Sequence, residues 1–295
     1  MPQTQVDAMT ASGENPGTTN ARGNSRRRQP LGSSTLSDVT RSEARGHAYF
    51  ITITRADRRN AINEEVCAGI ATALDAAEAN PESRAVVITG DGTQAFCAGG
   101  DLKPNAEGAP FTMEPAEPNH FVVRLFRRMQ QCRLPIIARV NGHAMAGGLG
   151  LVCACDFAIA ADHARFGVPE TRIGLFPMMI LPYMLRVIPR RQLMELCITG
   201  ELINATEARG MGILNYVVPA AELDAKLDWL LARIVDKSPT AIRIGKQVFH
   251  AIEDMTLDQS FELTQVMLPV MAMSEDAKEG FAAFNQKREP KWTGK

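Results

Sequence analysis

The chain has 295 residues, a formal net charge of −1 at pH 7 and a hydrophobic fraction of 45%. This length and composition predict one large domain with a substantial core, or one such domain with an appendage. The near-neutral charge argues against nucleic acid as the main partner of the folded part.

No segment has the pattern of a membrane span or a signal peptide. The longest apolar candidate, residues 173–188, is too short for a span and contains two prolines and an arginine. The N-terminal residues lack the apolar core of a signal peptide. The six cysteines form no compact framework and match no zinc-ligand spacing. We therefore expect a cytoplasmic protein with reduced, buried thiols, no metal site and no membrane association.

Residues 1–45 are rich in Thr, Ser, Gly, Asn, Gln and Arg and contain almost no large apolar residues. Such a segment buries too little surface to offset its ordering entropy, and we predict a disordered tail. Its basic run Arg26-Arg27-Arg28 is compatible with a nucleic-acid-binding patch or with part of an organelle-targeting peptide. A solvated tail is favoured, because transit peptides are poor in acids and this segment contains Asp7 and Glu14.

Ordered structure is predicted to begin near His47 and to alternate between strands and helices. Asn63 is a candidate N-cap for a helix that ends at Asn80-Pro81. In chain order, the predicted elements are a strand at 49–54, that helix, a strand at 85–89, a helix around 121–129, a strand at 135–140, a helix at 149–155 and a strand at 156–161. This alternation predicts an α/β fold with a mostly parallel sheet.

From about Arg190 the pattern becomes mainly helical. Asn204 with Glu207 resembles a capping box, and Ser238-Pro239 is typical of a helix start. A last strand is expected at 213–218, followed by helices to about Lys287. No internal repeat is evident.

Two glycine-bearing turns, at 96–103 and 141–150, each follow an apolar strand-like run. Glycine lets backbone N–H groups approach a ligand, and two convergent N–H groups form an oxyanion hole for a carbonyl oxygen. Ordinary turn and packing glycines are the alternative. The second turn lacks the G-x-G-x-x-G spacing of a dinucleotide site, and the absence of Gly-Lys-Ser/Thr excludes a phosphate loop.

Glu170 is the carboxylate that we expect to move protons beside these turns. It lies between apolar segments, which raise the pKa of a carboxyl group, although a solvated surface charge is the alternative. The apolar run 176–181 is a candidate acyl-pocket wall or a packing segment. We interpret His143 and Asp156 as structural residues. Four basic residues are either solvated or available to phosphates: Lys103, Lys287, Arg288 and Lys291.

Over about residues 47–290, four sequence blocks together resemble the crotonase, or enoyl-CoA hydratase/isomerase, superfamily. The blocks are Ala95-Phe96-Cys97-Ala98-Gly99-Gly100-Asp101-Leu102-Lys103, Asn141-Gly142-His143-Ala144-Met145-Ala146-Gly147-Gly148, Cys155-Asp156 and Phe166-Gly167-Val168-Pro169-Glu170. The resemblance implies a crotonase-like spiral of ββα units over 46–235 and a C-terminal helical oligomerisation region over 236–295. It further implies trimers or dimers of trimers. The implied ligand is an acyl-CoA thioester, with no cofactor beyond the coenzyme A of the substrate.

Matching the motifs residue by residue implies that the N–H groups of Gly100 and Gly147 form the oxyanion hole and that Glu170 is catalytic. The residues implied to line the path of the CoA, or to contact its phosphate, are Ala98, Asp101, Leu102, Lys103 and Lys287.

The sequence departs from the family pattern at Gly150, which stands where two-carboxylate hydratases have their first glutamate. Reversible hydration of an enoyl-CoA with Glu170 as acid/base is the favoured interpretation. A Δ3,Δ2-enoyl-CoA isomerase with Glu170 as its sole proton shuttle is one alternative. A non-catalytic CoA-binding or RNA-associated paralogue is another.

Overall fold

The computed structural model describes residues 35–36, 38–102 and 118–295, which belong to one compact unit. The strands in this part of the chain are β1 Thr35–Leu36, β2 Thr40–Arg45, β3 Ala48–Ile53, β4 Ala85–Gly90, β5 Ala95–Cys97, β6 Ile136–Val140, β7 His143–Met145, β8 Phe157–Ala161, β9 Arg165–Gly167, β10 Ile203–Asn204 and β11 Tyr216–Val218. The helices are α1 Glu64–Ala79, α2 Phe121–Gln131, α3 Gly147–Cys153, α4 Leu181–Val187, α5 Arg190–Thr199, α6 Ala205–Gly210, α7 Leu223–Val235, α8 Pro239–Ile252, α9 Leu257–Ala272 and α10 Glu275–Gln286. None of the described helices has the length and apolarity needed to cross a bilayer.

The strands form two sheets, and the smaller one carries both glycine turns. The larger sheet has the order β1-β2-β3-β4-β6-β8-β11 and is parallel from β3 onward. The smaller sheet has the order β10-β9-β7-β5, in which β5, β7 and β9 are parallel. Because parallel neighbours end at the same edge of a sheet, the turns after β5 and β7 lie side by side.

The helix boundaries confirm three predicted caps. The Asn63 side chain accepts the Val66 N–H at the start of α1, which ends before Asn80. Asn204 and Glu207 form the predicted capping box on α6. The Ser238 hydroxyl caps α8, whose first residue is Pro239. These caps are local hydrogen bonds between residues three apart, which is why sequence alone predicts them.

The predicted disordered tail is wrong at its C-terminal end. Residues 40–45 form β2, which pairs antiparallel with β3 over its whole length. The strand has no large apolar residue, but Thr40 and Ser42 are buried. Thr40 lies under α1, where a Cβ atom on Gly69 would be only 2.2 Å from the Thr40 Oγ1. Residue composition alone does not predict that a close helix buries small polar residues. Residues 1–34 and 37, including the basic run, lie outside the described residues.

Two other predicted elements have different bounds in the structure. The helix predicted at 149–155 spans Gly147–Cys153, so it starts within the second glycine turn. The last strand is confined to Tyr216–Val218 rather than 213–218. The division between a core of 46–235 and a helical region of 236–295 stays a prediction, because both lie in the same compact unit.

Asp156 joins the sheet to the C-terminal helices. Its Oδ2 accepts the Ile136 N–H at 2.7 Å and the Lys246 ammonium at 2.6 Å. His250, one turn further along α8, places its Nε2 3.6 Å from the Asp156 Oδ1. Burial opposes ionisation of Asp156, but His250 and Lys246 outweigh it and lower the pKa of the carboxyl. This arrangement agrees with the structural role predicted for Asp156.

We expect Lys246→Met to lower the free energy of unfolding by about 3 kcal/mol, because it leaves the largely buried Asp156 carboxylate without its ammonium partner and with His250 alone beside it. Chemical denaturation measures the change. Lys226→Met is the matched control, since the Lys226 ammonium lies over the Trp229 and Tyr216 rings and makes an exposed cation–π contact worth about 1 kcal/mol or less. Equal losses in both variants would contradict this account of Asp156.

Candidate active site

The first glycine turn pairs with the segment at Ile62 and directs the Gly100 N–H away from that segment. Ile62 donates its N–H to the Gly99 carbonyl at 2.7 Å, and its own carbonyl accepts the Asp101 N–H at 2.8 Å. These two bonds form an isolated parallel bridge between Ile62 and Gly100. In such a bridge the N–H of the central residue points to the opposite side. The Gly100 N–H is therefore available to a ligand.

The second glycine turn supplies another available N–H. Ala146 connects β7 to α3 with a φ of +49°, an uncommon and strained value for a residue with a Cβ atom. Gly147 is the first residue of α3, so its N–H has no partner within the helix. A Cβ atom on Gly147 would lie 3.6 Å from the Gly100 nitrogen. The two turns thus lie against each other, with the Gly100 nitrogen close to Gly147.

Buried asparagines fix the loops around both turns. Asn60 donates to the Asp91 and Ala95 carbonyls at 3.0 and 2.7 Å. Asn141 donates to the Gly90 and Gly92 carbonyls at 2.9 and 2.7 Å. Neither asparagine was predicted as part of the site. Asn141 opens the second motif block, but an asparagine there is equally typical of an ordinary turn, and Asn60 lies outside the four blocks.

A cavity of about 520 Å³ opens beside the two turns. The sequence-predicted residues that line it are Ala98, Gly100, Leu102, Gly147 and Glu170. Most of the remaining wall is apolar and includes Ile62, Val122, Ile173, Leu175, Phe176 and Ile180. The run 176–180 therefore contributes to the wall, as one of its two predicted roles requires. Ile62 and Val122 were not predicted, because they come from elements distant in sequence.

Glu170 is placed by a short 3-10 turn, Pro169–Ile173, that follows β9. Its Oε2 is buried and has no hydrogen-bond partner among the described residues. Burial disfavours the charged form and raises the pKa of the carboxyl above its ordinary value. A carboxyl group with a raised pKa in an apolar cavity is suited to proton transfer near neutral pH.

Arg172 is the other charged residue in the described cavity wall. Its guanidinium donates to the Glu201 carboxylate at 2.7 Å, and both side chains are more than half exposed. This exposed ion pair leaves Glu170 as the charged residue with a buried side-chain oxygen in the described cavity wall.

Three predicted binding residues lie elsewhere or outside the described chain. The Asp101 carboxylate is not in the cavity wall and pairs with the Arg55 guanidinium at 2.8 Å. Lys287 ends α10 with a φ of +53° and does not line the cavity either. Lys103 lies outside the described residues. His143 accepts the Arg165 N–H at 3.1 Å through Nδ1, in agreement with the structural role predicted for it.

The space beside Gly150 is filled by an apolar side chain. A Cβ atom on Gly150 would lie 2.3 Å from the Ile180 Cγ2 and 3.4 Å from the Phe126 Cζ. No second carboxylate takes the place of Gly150 among the described residues of the cavity wall, where Glu170 is the single carboxylate.

An α/β fold that sets two glycine turns and a buried carboxyl group against one apolar cavity has the arrangement of an enzyme active site. Residues 43–295 match the sequence model of the enoyl-CoA hydratase/isomerase family. The chain belongs to this family of enzymes and has the crotonase fold.

Individual relatives support this assignment. The chain is 33% identical over 252 residues to a putative enoyl-CoA hydratase of Thermus thermophilus, covering 84% of this chain and 98% of the relative. It is 30% identical to (E)-benzylidenesuccinyl-CoA hydratase of Thauera aromatica, covering 85% and 98%. The crystal structure of an enoyl-CoA hydratase from Mycobacterium tuberculosis superimposes with a TM-score of 0.78 at 32% identity, covering 88% of this chain and all of that one.

Proposed function

We propose that the enzyme catalyses the reversible hydration of an enoyl-CoA, with Glu170 as its acid and base. The observation that carries this proposal is the unpartnered Glu170 Oε2 in the same cavity as Gly100 and Gly147. A thioester oxygen held by the two N–H groups gains negative charge as an enolate forms, and each donor is worth about 3 kcal/mol to the transition state.

A single carboxylate suffices for hydration when it acts twice. In the first step Glu170 takes a proton from water, the water oxygen bonds to the β-carbon, and the double-bond electrons move onto the thioester oxygen. In the second step the protonated Glu170 returns the proton to the α-carbon, and the enolate collapses to the thioester. The carboxylate is regenerated and one water molecule has been added.

Isomerisation of a 3-enoyl-CoA to a 2-enoyl-CoA is the second candidate reaction. The observation that favours it is the apolar filling beside Gly150, because the described cavity wall offers no second carboxylate to hold a water molecule. Glu170 would then take a proton from the α-carbon and return it to the γ-carbon, through a dienolate whose negative charge lies on the same thioester oxygen.

Coenzyme A is proposed to bind along Ala98 and Leu102, with Asp101 at the adjoining turn and Lys103 and Lys287 toward its phosphates. We propose no other cofactor.

A trimer or a dimer of trimers is supported by exposed apolar residues on α9 and α10, among them Phe261, Leu268 and Phe284. A cytoplasmic location is supported by the cysteines, all six of which are unpaired.

Absorbance of the conjugated thioester distinguishes the candidate reactions. We expect 2-butenoyl-CoA to lose absorbance as it is hydrated. An isomerase would instead produce absorbance from 3-butenoyl-CoA and leave 2-butenoyl-CoA unchanged. Thioester binding with no reaction of either substrate would contradict both reactions and identify a non-catalytic CoA-binding protein.

A further inference from the structure

Gly147 and Gly150 lie three residues apart on α3 and therefore on nearly the same face of that helix. The rise of 1.5 Å per residue places Gly150 about 4.5 Å further along the helix axis. If the thioester oxygen contacts the Gly147 N–H, as the proposed function holds, this distance corresponds to the first carbons of the acyl chain. The wall beside Gly150 is then the wall that those carbons meet.

Ile180 forms that wall. Its side chain is only 4% exposed, it lines the cavity, and its Cβ and Cγ2 lie 2.5 and 2.3 Å from where a Gly150 Cβ atom would be. The lack of a side chain at Gly150 thus allows Ile180 to press against the helix backbone. As a β-branched residue, Ile180 has little freedom at χ1 and cannot swing aside readily.

The surroundings of Ile180 hold it in place. Its carbonyl accepts the Met184 N–H at the start of α4. On the same helix, the Tyr183 hydroxyl donates to the Phe126 carbonyl at 3.1 Å, and the two rings pack edge to face. The Phe126 Cζ in turn lies 3.4 Å from where a Gly150 Cβ atom would be. The wall is therefore a packed unit of three elements, α2, α3 and α4.

We propose that Ile180 is a specificity-determining residue, which restricts the enzyme to acyl-CoA thioesters without a branch on the α3 side of their α- and β-carbons. A methyl branch there would have to displace a buried, β-branched side chain that is packed against α3. An apolar pocket discriminates about 10- to 200-fold for one methyl or methylene group.

Binding of saturated thioesters tests this proposal without requiring turnover. We expect wild-type enzyme to bind butanoyl-CoA more tightly than 2-methylbutanoyl-CoA or 3-methylbutanoyl-CoA in isothermal titration calorimetry. Ile180→Ala should raise the affinity for a branched thioester, relative to butanoyl-CoA, by about tenfold or more. Ile180→Leu, which keeps the volume but removes Cγ2, should shift the ratio in the same direction by less and protects the test against misfolding of the alanine variant.

Leu185→Ala is the matched control, because Leu185 lies on α4, is 53% exposed and is not among the residues that line the cavity. It should leave the ratio unchanged. An unchanged ratio in both Ile180 variants, an equal shift in Leu185→Ala, or no thioester binding by the wild-type enzyme would overturn the proposal. A shifted ratio together with full turnover in Glu170→Gln would leave it standing and reject the proposed role of Glu170 instead.

Discussion

Replacing Glu170 with glutamine is expected to reduce turnover of an enoyl-CoA by about 10²- to 10⁴-fold, the range for loss of a general acid/base. Thioester affinity should change little, because the amide has nearly the same shape and the oxyanion-hole donors are backbone groups. Steady-state kinetics with calorimetric binding separates the two effects. Glu201→Gln is the control, since it removes a carboxylate at the exposed rim. A Glu170→Gln enzyme with the activity of Glu201→Gln would contradict the role of Glu170.

The raised pKa of Glu170 predicts two pH-dependent effects, one on the activity of the wild-type enzyme and one on the stability of Glu170→Gln. Wild-type kcat/KM should fall as the pH falls through the raised pKa, above the ordinary carboxyl range, because both candidate reactions begin with the ionised group. Ionisation of a buried carboxyl also costs folding free energy, about 1.4 kcal/mol for each unit of raised pKa. Glu170→Gln should therefore be more stable than wild type at neutral pH. This difference should disappear below the ordinary carboxyl range, where Glu170 is protonated in the folded and unfolded states alike.

Gly148→Ala is expected to abolish most activity through the backbone. A Cβ atom at Gly148 would lie 2.1 Å from the Cys97 carbonyl oxygen and 2.9 Å from the Cys97 Cβ. Because Cys97 ends β5 and Gly148 lies in the first turn of α3, the clash must move the two glycine turns apart. Displacement of one oxyanion donor costs about 10²- to 10³-fold in kcat. Overpacking of this kind also costs about 1–3 kcal/mol of stability.

Gly210→Ala is the matched control for this variant. A Cβ atom on Gly210 meets no atom within 4 Å, so we expect unchanged kinetics and unchanged or slightly higher stability. Thermal denaturation and steady-state rates on both variants make the comparison. Normal kcat in a folded Gly148→Ala enzyme would show that the turns do not need their close approach.

The sequence predicted the parts of the site that are local and missed those that depend on distant contacts. The two turns and Glu170 follow from glycines and a carboxylate in apolar runs, and the structure brings them to one cavity. That Ile180 fills the space beside Gly150 could not be predicted, because Ile180 directly precedes α4, Gly150 lies in α3, and their contact depends on how these two helices pack. The burial of β2 was missed for a similar reason, since α1 covers its small polar residues.

The structure also changes the interpretation of Gly150, the glycine at the position of the first glutamate in two-carboxylate hydratases. In the sequence it is a missing acid, which leaves open whether water or another carboxylate takes its place. In the structure that space contains the Ile180 side chain, so the glycine is required by packing. In the reactions proposed above, proton transfer then depends on Glu170, and Ile180 is the residue proposed to oppose a branch toward α3.

Exchange of α-protons in D₂O tests the central claim most directly, because both candidate reactions transfer a proton at the α-carbon while an enolate charge lies on the thioester oxygen. Butanoyl-CoA has no double bond to hydrate or move, but its α-protons exchange if Glu170 removes and returns them while Gly100 and Gly147 hold the oxygen. We predict that proton NMR will show α-exchange with wild-type enzyme and with Gly210→Ala, and none above background with Glu170→Gln. Exchange at the wild-type rate in Glu170→Gln would contradict the account.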